Sequence, residues 1–125
     1  MQKVFFGNPI KHKVDEKHRV SIPASFRELL GDNRIIFTNY VARHLVRCYP
    51  EENYMKKGKE MLKRPEDDKE RQIFFLAERY ELDDQGRIVV KGPMNELEEV
   101  IFAANGDVFD IWNPNEFPYK DHIIE

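Results

Sequence analysis

The chain carries one motif twice. Residues 14–22 read Val14-Asp15-Glu16-Lys17-His18-Arg19-Val20-Ser21-Ile22, and residues 82–90 read Leu82-Asp83-Asp84-Gln85-Gly86-Arg87-Ile88-Val89-Val90. Both run apolar residue, Asp, three variable residues, Arg, then a β-prone apolar stretch, at a constant offset of 68 residues. Echoes follow each copy. Ile35-Ile36-Phe37-Thr38 answers to Val100-Ile101-Phe102-Ala103, and Cys48-Tyr49-Pro50-Glu51-Glu52 to Ile111-Trp112-Asn113-Pro114-Asn115-Glu116. The offset has shortened to 64 by Pro50 and Pro114, so the second copy has tighter loops. Two irregular copies do not make a solenoid. They predict two half-domains sharing one core.

Size supports that reading. Each half of a 125-residue chain is too small to bury a comfortable core alone, so the halves are expected to interlock. An apolar content of 41%, with nine Phe, is enough for one shared core. No run approaches the roughly 20 apolar residues of a membrane span. The N-terminal stretch Met1 to Gly7 lacks the apolar core of a signal peptide. The single cysteine, Cys48, excludes an intrachain disulfide and a cysteine-based zinc site. The expected location is the cytoplasm.

Charge is unevenly spread. Residues 1–27 carry a net +4, residues 28–65 a net +3 and residues 66–125 a net −10. A basic front and an acidic back suit a protein that turns one face to a polyanion, and equally suit a solvated acidic surface with no partner.

The chain reads as α+β. Residues 11–22 are expected to form strand, turn, strand, with Asp15-Glu16-Lys17-His18 as the turn. Gly86 supplies positive φ in the second turn, and His18 holds that place in the first at some cost in strain. Pro23 starts a short helix, Ala24 to Leu30, ended by Gly31. Strands are expected at Arg34–Asn39 and Leu45–Tyr49, then helices from Pro50 to about Arg64 and over Glu66–Ala77. Strands recur at Tyr80–Leu82, Arg87–Val90, Val100–Ala104 and Val108–Trp112. Asn113 caps a last short helix, and only the final few residues look unstructured.

Asp15 and Arg19 flank a tight turn. They fit either an internal bridge that holds the turn or an arginine fork offered to phosphate or to guanine edges. Lys11, Lys13, Lys17 and Arg19, with His12 and His18, crowd the same segment, and such a density of cations calls for solvent or an anion. A duplex supplies that anion, and each phosphate neutralised adds salt-dependent affinity. Other candidates are poorer. His44 and Cys48 share a face four residues apart, but Cys48 reads as a small buried residue in a strand. His12 and His18 lack a third ligand. Phe109, Ile111 and Trp112 read as core. No constellation suggests an enzyme.

Asp15-Glu16-Lys17-His18-Arg19-Val20-Ser21-Ile22-Pro23-Ala24-Ser25-Phe26-Arg27 resembles the signature of the MraZ family, within the AbrB-like swapped-hairpin superfamily. Phe6-Gly7, Tyr49-Pro50-Glu51-Glu52, Asp83 with Arg87, and Ile111-Trp112-Asn113-Pro114 match it in order and spacing. The resemblance implies two tandem AbrB-like swapped-hairpin halves, residues 1–64 and 65–125. Together they would form one pseudo-symmetric, β-barrel-like domain with peripheral helices. It implies a transcriptional regulator that binds double-stranded DNA at short direct repeats in the promoter of its own division and cell-wall gene cluster. It also implies a ring-shaped homo-oligomer, a place on the nucleoid, and no cofactor.

On this resemblance Arg19 and Arg87 are the DNA contacts, oriented by Asp15 and Asp83. Lys13, Lys17 and His18 are added from local charge as contacts to the backbone, which position rather than specify. The chain departs from the signature at His18, usually Gly, and at Val89-Val90-Lys91-Gly92-Pro93, which lacks the Ser-Ile-Pro of the first copy. The second half is also acidic. The first hairpin is therefore expected to read DNA and the second mainly to complete the fold. The alternative is an oligomeric interaction protein of the same fold with weakened or lost DNA binding.

Overall fold

A computed structural model describes residues 3–123. The main body is a six-stranded antiparallel sheet of order β1-β7-β8-β4-β3-β5. Its strands are β1 (Ile10–Lys13), β3 (Ile35–Ala42), β4 (Leu45–Pro50), β5 (Glu78–Glu81), β7 (Glu99–Asn105) and β8 (Val108–Trp112). A separate two-stranded ribbon pairs β2 (Arg19–Ser21) with β6 (Arg87–Val89). Three helices, α1 (Ala24–Leu30), α2 (Glu51–Met61) and α3 (Lys69–Phe74), complete the α+β architecture. Among the described residues no helix is long and apolar enough to cross a membrane.

Strands from the two sequence copies pair with each other. In the first copy β1 lies against β7 of the second, with Ile10 opposite Phe102 and Lys13 opposite Glu99. Conversely β5 lies against β3, with Ile35 opposite Glu81. The expected local hairpin over residues 11–22 is thus corrected. Its arms part after the turn, β1 entering the large sheet and β2 the ribbon, because each arm finds its partner in the other copy. The sheet is open rather than a closed barrel among the described residues, with β1 and β5 as edges. Both edges are four residues long and carry charge, Lys11 and Lys13 on one, Glu78, Arg79 and Glu81 on the other. Short charged edges discourage further pairing.

Ribbon and sheet share one core. Strand alternation turns Val20, Ile22, Ile88 and Val90 inward, all at most 6% exposed, against Ile36, Cys48, Val100, Phe102, Phe109 and Ile111. Phe26 of α1 sits among Phe5, Phe102 and Phe109, with ring centroids 5.4, 6.4 and 5.1 Å away. Offset and edge-on rings at this spacing add to the burial of apolar area. A second cluster lies under α2 and α3. There the Tyr54 ring is stacked between Phe37 at 4.1 Å and Phe74 at 4.4 Å, and its hydroxyl donates to the Phe74 carbonyl at 2.9 Å.

Helix ends explain the remaining differences from expectation. Pro23 and Pro50 sit one place before their helices, extended at ψ 142° and 147°, rather than inside them. The helix expected over Glu66–Ala77 shrinks to α3, because the Asp68 side chain accepts from Arg71 N at 3.0 Å and so caps there. Beyond it the chain is already turning into β5 at Glu78. Asn113 does cap a turn, accepting from Asn115 N, but that turn is a 3-10 helix over Pro114–Glu116. Another 3-10 turn covers Lys120–His122 of the tail read as unstructured, and residues 124–125 lie outside those described.

Phe26 is 2% exposed and packs against Phe5, Phe102 and Phe109, so Phe26→Ala should cost about 3–5 kcal/mol. The midpoint and slope of urea unfolding measure this. An unchanged midpoint would mean the core does not centre on α1.

Candidate nucleic-acid interface

The two Asp-x-x-x-Arg motifs fold into matching turns. In the first, Asp15 Oδ1 accepts from the backbone N–H of Lys17 at 2.9 Å and of Arg19 at 2.8 Å, while Oδ2 accepts from Arg19 Nε at 2.8 Å. In the second, Asp83 Oδ1 accepts from Gln85 N and Arg87 N, both at 2.9 Å, and Oδ2 from Arg87 Nε at 2.7 Å. The turn carbonyls correspond too: His18 N donates to Asp15 O at 3.0 Å, and Gly86 N to Asp83 O at 2.9 Å. His18 has φ 63° and Gly86 φ 70°, so the histidine does take the left-handed conformation its place in the motif demands. It is the one non-glycine residue with positive φ among those described.

These bonds favour ionised carboxylates. Asp15 is held below the usual range chiefly by the Arg19 backbone N–H; burial, the next-largest influence, opposes it, and the Arg19 side chain and the Lys17 N–H keep the net direction downward. At Asp83 burial pushes upward most strongly as a single cause. The backbone and side chain of Arg87 and the Gln85 N–H together outweigh it, and the net direction is again downward. The internal bridge anticipated for the motif is present in both copies. It occupies only Nε of each arginine. Among the described residues the terminal guanidinium nitrogens have no other partner, and that free edge is the one suited to bidentate bonding.

The ribbon brings the two arginines together. Val20 pairs with Ile88, Arg19 faces Val89 and Ser21 faces Arg87, while Ile22 N donates to Gly86 O at 3.0 Å and Val90 N to His18 O at 2.7 Å. These pairs are related by a local two-fold through Val20 and Ile88. Since Val20 and Ile88 point inward, Arg19, Ser21, Arg87 and Val89 share the outer face. The two arginine positions stand roughly 7 Å apart along the ribbon at two residues of strand rise.

The other predicted residues surround the first turn. Lys13, at the end of β1, and Lys17 and His18 in the turn are exposed, and their side chains make no ion pair or hydrogen bond among the described residues. Lys11 lies 3.8 Å from Glu99. His12 turns inward, with Nδ1 2.6 Å from the Ser21 carbonyl and its ring edge-on to Phe102. Cys48 is fully buried in β4, where burial raises its thiol well above the usual range, and His44 rests against Trp112. No group of three or more potential metal ligands exists among the described residues.

Two features escaped the sequence reading. The carboxylate of Asp110 on β8, 4% exposed, is matched by Arg47 Nε at 3.0 Å and Asn105 Nδ2 at 3.1 Å. Nothing in the apolar run around Asp110 marks a buried ion. More relevant here, Arg27 and Arg34 of the first copy reach the turn of the second. Arg27 Nη1 approaches the Gln85 carbonyl at 3.5 Å, and Arg34 Nη1 forms an ion pair with Asp84 Oδ1.

Three outcomes are expected from these turns. Gly86→Ala should destabilise by more than about 1 kcal/mol, since it adds a side chain at positive φ. His18→Gly should leave stability within about 1 kcal/mol, because relief of strain is offset by the backbone entropy glycine loses. Urea unfolding of both variants checks the contrast. The depressed Asp15 and Asp83 pKa values should stabilise the fold fully above the unfolded aspartate value of about 3.9 and less as pH falls through the lower folded values. Carboxyl NMR titration should therefore find both midpoints below that value; midpoints at or above it would mean the N–H bonds are not maintained in solution.

The geometry can be set beside known proteins. Residues 5–75 match the sequence profile of the family described as "MraZ protein, putative antitoxin-like". A protein of Ruegeria pomeroyi named transcriptional regulator MraZ is 30% identical over 93% of this chain and 81% of its own length. Proteins of the same name from Leuconostoc mesenteroides and Rickettsia bellii are 34% and 27% identical. They align with 86% and 96% of this chain and with 80% and 87% of their own lengths. The doubled motif, the paired turns and these alignments agree, and the chain belongs to the MraZ family.

Proposed function

We propose that this protein is a sequence-specific DNA-binding transcriptional regulator and not an enzyme. The observation that carries the reading is the shared outer face of β2 and β6, where Arg19 and Arg87 are each pinned by Nε with the far edge of the guanidinium free. A two-stranded ribbon is narrow enough to enter the major groove, where arginine bonds the O6 and N7 of guanine. Lys13, Lys17 and His18 then meet phosphates beside it and fix the register of docking. Asp15 and Asp83 orient the arginines and touch no DNA. The name of the relatives, transcriptional regulator, supports the same conclusion.

The finer reading follows the family. Residues 1–64 and 65–125 are two repeats of a swapped-hairpin design folding as one unit, and the protein acts without a cofactor in the cytoplasm, on the nucleoid. Its target is a set of direct repeats in the promoter of its own division and cell-wall genes. Several chains in a ring would let weak single contacts on repeated sites reinforce one another through effective concentration. Apolar side chains on and just after α3, Ile73, Phe75 and Leu76, are 45%, 43% and 77% exposed and give such an assembly a surface to use. The same exposed patch, with the −10 charge of residues 66–125, favours the second reading, an interaction protein that has lost DNA binding.

The test is fluorescence anisotropy with the DNA upstream of the protein's own gene, beside scrambled DNA, at two salt concentrations. A DNA reader binds the upstream sequence more tightly and weakens steeply as salt rises. Arg19→Ala should lose at least about 1–3 kcal/mol of sequence discrimination while its thermal unfolding is unchanged. Equal affinity of wild type and variant for the upstream DNA removes Arg19 from the site. Absence of salt-dependent binding by the wild type selects the interaction-protein reading.

A further inference from the structure

The local two-fold of the ribbon gives every residue of one turn a counterpart in the other, and the counterparts are not equal. Lys17 and His18 in the first turn correspond to Gln85 and Gly86 in the second, so the second turn carries no cation between its aspartates and Arg87. The residues packed over the turns differ in the opposite sense. Leu82 N donates to Arg34 O at 2.9 Å, and by symmetry Val14 N donates to Glu98 O at 2.8 Å, so Arg34 and Glu98 are counterparts. Buried Phe26 and Met94 likewise correspond, which makes Arg27 the counterpart of Asn95. Where the second turn lacks cations of its own, the first copy lays two arginines across it.

Gly86 is what admits Arg27. A β-carbon on Gly86 would overlap Arg27 Cδ and stand 3.2 Å from its Nε and 3.3 Å from Nη1, so the guanidinium lies directly on the glycine backbone. The first turn carries His18 in the place of Gly86, and the residue that corresponds to Arg27 at the same sequence offset is the shorter Asn95. Arg27, Arg34, Asp83, Asp84 and Gly86 line one surface groove of about 220 Å³. Arg34 is spent on Asp84 and Arg87 on Asp83, whereas Arg27 has no carboxylate partner among the described residues. The count at this turn is three arginines against two aspartates, a local excess of one positive charge inside the acidic half.

We propose that Arg27 is a phosphate contact of the second turn, a DNA-facing residue supplied across the repeat boundary, and that Arg34 positions it by cancelling the charge of Asp84. The inference rests on the DNA-binding reading and extends it: beside the base contact proposed for Arg87, the second turn also meets the duplex backbone. The partner is the phosphate backbone of double-stranded DNA, bonded by the exposed edge of the guanidinium while its stem is held on Gly86.

A salt series of anisotropy titrations on the full-length protein tests this, using upstream and scrambled DNA. Arg27→Gln should lower affinity several-fold for both DNAs alike, leave their ratio unchanged, and reduce the slope of log K against log salt by about one. Arg27→Lys should restore the slope, because a phosphate contact needs the charge more than the fork. Lys63→Gln, beyond the end of α2, should match the wild type. A wild-type slope for Arg27→Gln, in protein whose Arg19→Ala variant loses specific binding, overturns the inference and leaves the DNA-binding reading standing. A wild type that does not bind DNA overturns both.

Discussion

The antiparallel pairing of β2 with β6 is the constraint on which the rest depends. Three residues from each motif make the ribbon, and its inner face of Val20 and Ile88, continued by Ile22 and Val90, closes one side of the core. The same pairing carries the two Asp–Arg turns on its outer face. Burial of the aliphatic side fixes register, because a one-residue slip would expose all four apolar residues and bury the arginines. The hydrophobic core and the charged surface are therefore the two sides of one short ladder. Each motif's strand finds its ribbon partner in the other motif.

Much of this was legible in the residues. Alternation located the strands to within a few positions, the Asp and Gly pattern located the turns, and the offset of 68 predicted that His18 would sit where glycine does. Partner choice was not legible. Residues 11–22 satisfy every local rule for a hairpin, yet His12 and Arg19 end in different sheets, because the competing partners lie about a half-chain away and leave no trace in local periodicity. The same holds for Arg27, whose contact at Gln85 spans 58 residues, and for Asp110, whose partner Arg47 spans 63. Helix lengths failed for another reason. The helix was expected to begin at Glu66, but the Asp68 side chain bonds Arg71 N and makes Asp68 the boundary.

Charge counted along the chain was misleading in a related way. The second half is acidic as a segment, but folding places Arg27 and Arg34 of the first half over its turn and Glu99 of the second half beside Lys11 of the first. In an interlocked fold a stretch of sequence does not own the surface it appears on. Electrostatic character belongs to the face assembled from both copies, and only the pairing of strands says which residues those are.

The departure from two-fold symmetry at the ribbon has a directional consequence. A perfectly symmetric ribbon laid on a duplex would make the same contacts after being turned end for end, just as symmetric dimers read palindromes. With His18 in one turn and Gly86 under Arg27 in the other, the two orientations differ. A chain seated on a duplex as proposed would then have a head and a tail with respect to the helix axis. Successive chains can all point the same way only if they have such a polarity, and a series of sites repeated in one direction, not inverted, is the arrangement that polarity would suit.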